Sequence, residues 1–262
     1  MKEYVARFGR KSTRKDLLTN MIGKGEGDPD ALPDKDIEAE LGGLSFAATD
    51  TAAITLNYLF WELGRHRDVV AKVREELADI QLVDGAVPYT AAVTSRWLEA
   101  VFTESMRIHP VAPGGVPRDT PPGGYMIDGI LVPGGVSNSA HHPKHQQFAN
   151  RFRQTVVSTN TWTVHHDPTY FEDPYTFDPS RWLGKVSPEM RARPMPFLKG
   201  QYNCIGQHMA LFQMKILTAT LIKRYDIETP ACMTPEVIDF KDHILAVPQA
   251  ERCWIKFTPV QE

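Results

Sequence analysis

The stretch FLKGQYNCIGQHMA, residues 197–210, sets Cys204 between two glycines and continues directly into an apolar helical pattern. A cysteine at such a loop-to-helix junction meets unpaired backbone N–H groups and the positive end of the helix dipole, and both favour the thiolate. Gly200 and Gly206 permit a tight turn and the close approach of a flat ligand. The pattern therefore predicts that Cys204 is a metal ligand or a nucleophile.

A cysteine nucleophile needs a base within reach, and His208 is the only candidate close in the sequence. No order of Cys, His and Asn or Asp typical of a cysteine hydrolase is recognisable. A hydrolase is therefore the least favoured of the alternatives.

The composition is that of a globular protein: 262 residues, 42% hydrophobic and 23% charged, with a formal charge of -3. The charge balance argues against a nucleic-acid partner. No apolar run of about 18 residues and no signal peptide is present, so the given sequence is expected to be soluble and cytoplasmic. Three cysteines and no CxxC or HExxH pair argue against a disulfide framework and a zinc site. The HHPKH cluster, residues 141–145, is interpreted as a polar loop.

Helical patterns dominate the chain. Residues 1–35 are interpreted as a helix fragment and a linker, and a long helix expected to run through a core follows to about Arg65. An amphipathic helix comes next, and a further one ends at His109, before a proline. Short strands are expected at 111–135, around TVVSTNTWTVHHDP, and in the tail, and the segment TYFEDPYTFDPSRW is expected to be extended loop. The predicted class is mainly α with minor β.

The long helix carries Thr49, Asp50 and Thr51 in an apolar setting. Their burial would cost desolvation free energy unless they bind something. The alternative is that the threonine hydroxyls bond to the preceding turn.

Glu104 and Arg107 lie three residues apart on a later helix, where an ion pair is natural. Most such pairs are solvated and contribute little.

In combination these motifs resemble the cytochromes P450, with a texture like that of fungal members. The residues are AATDT at 47–51, ExxR at 104–107 followed by HP, FDPSRW at 177–182 and FLKGQYNCIG at 197–206. All four occur in the family's order with plausible spacing. The resemblance implies the carboxy-terminal half of the P450 fold, with a long central helix and short sheets.

The resemblance implies that Cys204 is the axial thiolate of haem b, whose electron donation favours O–O cleavage. Phe197 would shield the sulfur, and Gly200 and Gly206 would let the loop lie against the porphyrin. Arg118 matches a position at which the family often pairs an arginine with a haem propionate.

The resemblance also implies that Thr51, beside Asp50, delivers protons to dioxygen. Glu104 and Arg107 would join Arg181 in a buried charge cluster that fixes the cysteine loop. The implied function is a monooxygenase of secondary metabolism that oxidises a hydrophobic small molecule with O2 and electrons from NADPH-cytochrome P450 reductase or a similar protein. An amino-terminal anchor, if it exists, would place it on the cytoplasmic side of the endoplasmic reticulum.

Two departures from the family pattern matter. Tyr202 stands where the family usually carries Arg or His to meet a propionate, and a phenol brings no charge. The resemblance covers only the carboxy-terminal half of a typical member. The alternative is therefore a non-catalytic, truncated fragment that does not retain haem.

Residues 136–154 interrupt a stretch that the family would run straight through as PGGTVVSTNTW. Val-Ser-Asn at the start, Ala-Asn near the end and the final Gln can be encoded by splice donor, branch and acceptor sequences. We interpret the segment as a translated intron, with an ordinary surface insertion as the alternative. Mature transcripts that all retain the segment would exclude the intron.

Overall fold

The computed structural model describes residues 2–9, 12–22, 32–134 and 156–260, which fall into two compact units, Met1–Ala53 and Ile54–Glu262. The interruption at 136–154 and the HHPKH cluster lie outside the described residues. The interpretation of both, and the domain boundary at residue 35, remain predictions.

The first unit contains two short helices, α1 (Lys2–Phe8) and α2 (Leu17–Ile22). Asp16, immediately before α2, accepts the backbone N–H of Thr19 at 2.8 Å and the hydroxyl of Tyr4 at 2.9 Å. This carboxylate therefore caps α2 and joins it to α1.

The predicted long helix is α3 (Asp34–Arg65), which passes from the first unit into the second. Its two halves differ in exposure. Residues 38–50 are exposed apart from two half-buried leucines, and Phe46 is 73% exposed. Residues 54–64 are buried or half-buried. The expectation that the whole helix lies in a core is therefore wrong for residues 38–50, because their side chains are mostly exposed.

The second half of α3 forms the core of the second unit. The Tyr58 hydroxyl donates to the carbonyl of Ala246 at 3.1 Å, and Trp61 Nε1 donates to the carbonyl of Met233 at 2.9 Å. Both aromatic side chains are therefore buried with their polar atoms satisfied. Ile54 and Ile238 complete this cluster.

Four further helices build the body of the second unit. Ser95 caps α6 (Arg96–Ile108), because its Oγ accepts the N–H of Leu98 at 3.1 Å, and the helix ends before His109-Pro110 as predicted. Lys215 of α9 (Gln207–Arg224) pairs with Glu99 of α6. The helices are α4 (Arg67–Glu76), α5 (Tyr89–Thr94), α6 (Arg96–Ile108) and α9 (Gln207–Arg224), and α9 packs against α4 and α5.

Among the described residues the strands form four separate antiparallel pairs. The pairs are β1 (Arg118–Asp119) with β4 (Val156–Val157), β2 (Tyr125–Ile127) with β3 (Ile130–Val132), β5 (Tyr225–Glu228) with β8 (Lys256–Pro259), and β6 (Phe240–His243) with β7 (Leu245–Pro248). The predicted minor β content, including strand pairs in the tail, is confirmed.

The stretch predicted as one strand around TVVSTNTWTVHHDP forms only the short β4 and then helix α7 (Thr161–His165). The strand ends because Asn160 caps the helix, with its side-chain oxygen accepting the N–H of Thr163 at 2.9 Å. The following segment is loop that ends in a 3₁₀ turn (Pro179–Trp182). The small helices α8 (Pro188–Ala192) and α10 (Pro235–Ile238) complete the α-helices of the described residues.

Candidate functional site

Helix α6 presents a fully buried ion pair. Glu104 and Arg107 are both 0% exposed. Arg107 Nε donates to Glu104 Oε2 at 2.9 Å, and its Nη2 donates to Oε1 at 2.8 Å. Such a two-point contact orients both groups as well as neutralising them. This pair is therefore not one of the solvated surface pairs that contribute little.

The carboxylate of Glu104 also accepts hydrogen bonds from the FDPSRW motif, which ends in the 3₁₀ turn. Arg181 Nε donates to Glu104 Oε1 at 2.9 Å, and Trp182 Nε1 donates to Oε2 at 2.8 Å. The backbone N–H of Asp178 adds a third contact at 3.1 Å. The structure thus brings Glu104, Arg107 and Arg181 together as one buried cluster, and Trp182 is a member that the sequence reasoning missed.

The remaining donors of Arg107 fix the loops around α6. Its Nη1 donates to the carbonyls of His165 and Pro174, at 2.8 Å each. Its guanidinium also lies 4.9 Å from the ring centroid of Phe171. Because the cation is surrounded by protein partners, its role in this structure is to hold the framework.

The cysteine loop lies between α8 and α9 and is held by its own backbone. The N–H of Leu198 donates to the carbonyl of Met195 at 3.0 Å, and the N–H of Cys204 donates to the carbonyl of Phe197 at 2.8 Å. Leu198 and Gly200 have positive φ angles of 59° and 78°. The left-handed backbone at residue 200 explains the need for glycine there.

Cys204 lies in the loop three residues before α9 begins at Gln207, and its side chain is exposed. Gly206 differs from Gly200, since its φ of -82° is open to any residue. A Cβ added at Gly206 would lie 3.7 Å from Cys204 Sγ, an ordinary contact distance. Glycine at 206 therefore keeps the space beside the sulfur open, whereas glycine at 200 permits the turn.

Arg118 and Tyr202, two residues predicted to face a haem propionate, are brought together. The Arg118 guanidinium lies 4.6 Å from the centroid of the Tyr202 ring. Its Nη1 also donates to the carbonyl of Pro117 at 2.9 Å. A cation over a phenol ring is attracted by the ring quadrupole. Tyr202 therefore contacts the Arg118 cation at this edge of the loop and does not supply a second positive charge.

Asp50 and Thr51 belong to the first unit, and the other candidate residues belong to the second. The Thr51 hydroxyl donates to the carbonyl of Ala47 at 2.7 Å, and that of Thr49 donates to Ser45 at the same distance. The threonine-to-backbone alternative is therefore observed. The desolvation argument is wrong for these residues, because Thr49 and Asp50 are exposed and Thr51 is half-buried.

A second missed residue is His165, the last residue of α7. It is 0% exposed and contacts both Arg107 and the segment that leads into the cysteine loop. The sequence signal was the histidine pair in HHDP, which was interpreted only as the end of a strand. A helix-capping asparagine five residues earlier could have indicated the short helix.

The comparisons with known proteins agree with these motifs. The family model for cytochrome P450 matches residues 2–141 and 153–253. The chain belongs to the cytochrome P450 family. A cytochrome P450 monooxygenase, cypX of Dothistroma septosporum, is 30% identical over 243 residues, which cover 90% of this chain and 43% of that protein. The monooxygenase aflV of Aspergillus parasiticus is 31% identical over 229 residues, covering 86% of this chain and 41% of that protein.

Solved P450 structures share the fold. A cyanobacterial cytochrome P450 with bound retinoic acid matches with a TM-score of 0.75 at 20% identity, covering 99% of this chain and 54% of that chain. A zebrafish cytochrome P450 with progesterone gives a TM-score of 0.72 at 24% identity, with the same two coverages. The predicted P450 fold is confirmed, and the chain spans about half the length of these structures.

Cytochromes P450 hold haem iron through a cysteine thiolate, and the residues of this chain fit that group. An exposed thiol stands beside an open glycine, Ile205 and Met209 offer exposed apolar surface at 90% and 58%, and Arg118 supplies a cation for an acidic edge. Within the described residues no group of three or more His, Cys, Asp or Glu side chains that could hold a metal ion is found. No described helix is both long and apolar enough to cross a membrane.

Proposed function

We propose that the chain forms the haem-thiolate part of a monooxygenase that oxidises a hydrophobic small molecule with dioxygen. The observation that supports this most strongly is the exposed thiol of Cys204. Its loop is held by the hydrogen bond from the backbone N–H of Cys204 to the carbonyl of Phe197. NADPH-cytochrome P450 reductase or a similar flavoprotein supplies the electrons. Fungal secondary metabolism at the cytoplasmic face of the endoplasmic reticulum is the setting that we propose.

Several residues would hold haem, each in a different role. Cys204 would supply the thiolate that holds the iron, Phe197 would shield that sulfur, and Gly206 would leave room for a flat macrocycle. Arg118 pairs with a propionate while Tyr202 supports its guanidinium. Haem, when bound, supplies the redox chemistry that splits dioxygen.

Thr51 and Asp50 handle protons in this proposal. The Thr51 hydroxyl donates to the carbonyl of Ala47, and in this proposal it exchanges hydrogen-bond partners with water to relay a proton. We expect Thr51→Ala to leave the absorption spectrum of the haem-loaded protein unchanged but to divert oxygen consumption from product to peroxide. Unchanged coupling between oxygen use and product would contradict this role.

Turnover with isotopically labelled dioxygen tests the proposal. The chain is loaded with haem, supplied with a reductase and NADPH, and offered a panel of apolar substrates. We expect one labelled oxygen atom in the organic product and none from labelled water. Soluble chain that binds no haem would contradict the proposal and favour the non-catalytic fragment.

A further inference from the structure

Two hydrogen bonds of the His165 ring define which of its nitrogens carries the hydrogen. Its Nδ1 lies 3.1 Å from the carbonyl oxygen of Arg107, and its Nε2 lies 2.8 Å from the backbone nitrogen of Met195. A carbonyl only accepts and a backbone N–H only donates. The ring must therefore carry its hydrogen on Nδ1 and a lone pair on Nε2.

The contact with Arg107 is reciprocal. The guanidinium Nη1 of Arg107 donates to the carbonyl of His165 at 2.8 Å, while the ring of His165 donates to the carbonyl of Arg107. The ends of α6 and α7 are thereby joined through two bonds, both fully buried. His165 is consequently fixed to the same cluster that Glu104 neutralises.

The bond to Met195 continues towards the cysteine. Met195 accepts the N–H of Leu198 through its carbonyl at 3.0 Å, and the carbonyl of Phe197 accepts the N–H of Cys204 at 2.8 Å. Only short stretches of covalent backbone separate these bonds. One connected path therefore leads from Arg107 through His165 to the cysteine.

We propose that His165 is a positioning residue for the cysteine loop, because its neutral ring ties the Glu104–Arg107 cluster to the backbone at Met195. A ring protonated on both nitrogens would direct a second N–H at the N–H of Met195 and break this tie. Burial lowers the pKa of His165 to about 4, which keeps the ring neutral near neutral pH. The inference concerns the loop itself and does not depend on the proposed oxidation reaction.

The tautomer can be measured directly in the unmodified chain. Long-range proton–nitrogen NMR correlations on histidine-labelled protein, assigned with His165→Gln, report which ring nitrogen is protonated. We expect hydrogen on Nδ1 of His165 and slow exchange of the Met195 amide. Hydrogen on Nε2, or an unprotected Met195 amide, would overturn the proposal.

Two variants separate positioning from simple packing. The amide of His165→Asn can replace the Nδ1 donor but does not reach Met195, whereas the carbonyl oxygen of His165→Gln can replace the Nε2 acceptor. We expect the Met195 and Cys204 amides to exchange about tenfold faster in His165→Asn than in His165→Gln. Equal exchange in the two variants would overturn the proposal.

His166 supplies the matched control. It is buried beside His165, immediately after α7, but its Nδ1 bonds back to the carbonyl of Trp162 in α7 at 2.9 Å. His166→Gln is expected to leave the Met195 and Cys204 amides protected. Equal loss of protection in His166→Gln and His165→Asn would reduce the effect to general loosening of α7 and would overturn the proposal.

Discussion

The Glu104 cluster and the cysteine loop belong to the same unit, but the cluster buries its polar groups whereas the loop exposes its thiol. Glu104 is fully buried, and its two oxygens accept hydrogen bonds from Arg107, Arg181, Trp182 and the backbone of Asp178. The loop instead exposes its thiol, with Tyr202 at 59% and Ile205 at 90% exposure.

This difference separates framework from binding surface. A buried charge is tolerated only where it is paired and hydrogen-bonded, so the cluster is complete from the residues of this chain alone. The loop presents a soft sulfur ligand and apolar side chains to the outside, which is the arrangement that an incoming apolar group requires. Damage to the cluster should therefore unfold the unit, whereas damage to the loop should affect binding.

The largest effect is expected from Glu104→Gln. The amide removes the charge that neutralises two arginines, leaving buried cations without compensation. We expect the free energy of unfolding to fall by about 3–5 kcal/mol, measured by urea denaturation.

Glu75→Gln is the matched control for this experiment, because Glu75 lies exposed on α4. We expect it to change the free energy of unfolding by less than about 0.5 kcal/mol. Similar losses in Glu75→Gln and Glu104→Gln would show that the cluster has no special place in the framework.

The next effect is a dependence of stability on pH. Burial lowers the pKa of both His165 and His166 from 6.5 to about 4. The unfolded chain therefore binds protons that the folded chain does not, and stability falls as the pH decreases from 6.5 towards 4. We expect a loss of about 2 kcal/mol for each ring by pH 5, measured by denaturation at a series of pH values.

His166→Gln should remove its share of this pH dependence without touching the contacts of Glu104 or Cys204. The exposed His243→Gln serves as the control for loss of a histidine as such. A slope of stability against pH that is the same in wild type and His166→Gln would refute the assignment of acid sensitivity to these rings.

The smallest effect is expected at the edge of the loop. Tyr202→Ala removes the ring beneath Arg118, and an exposed contact of this kind contributes about 0.5–1 kcal/mol. We expect haem affinity to fall by a few-fold, with little change in stability, when haem uptake is titrated by absorbance. Tyr202→Phe, which keeps the ring, should bind haem as the wild type does, and an equal loss in both variants would contradict the stacking role.

Most elements of the fold were predictable from the sequence. Helix α6 was predictable because its apolar periodicity is clear and His109-Pro110 ends it, and α9 because it follows the cysteine motif without a proline. The exposure of the first half of α3 was not predictable, because an apolar helical pattern does not reveal which half is buried. The helix α7 was missed because a helix of one turn is decided by its cap and not by periodicity.

The candidate site was predictable to the level of its motifs. Spacing placed Glu104 and Arg107 on one face of a helix, and the resemblance to the cytochromes P450 implied Arg181 as a third member. The roles of Trp182 and His165 depend on contacts across more than 50 residues of sequence, which local patterns do not encode. The pairing of Arg118 with Tyr202 likewise arises only where β1 meets the cysteine loop.

The central claim is that Cys204 presents a thiolate to haem iron from a loop held by the buried cluster. The most direct measurement is the absorption spectrum of the haem-loaded, reduced chain under carbon monoxide, compared with that of Cys204→Ser. We expect the red-shifted Soret band of a thiolate-ligated complex in the wild type, and its loss in Cys204→Ser with the stability of the fold unchanged. A thiolate-type band that persists in Cys204→Ser, or haem that binds to the wild type without producing this band, would contradict the account.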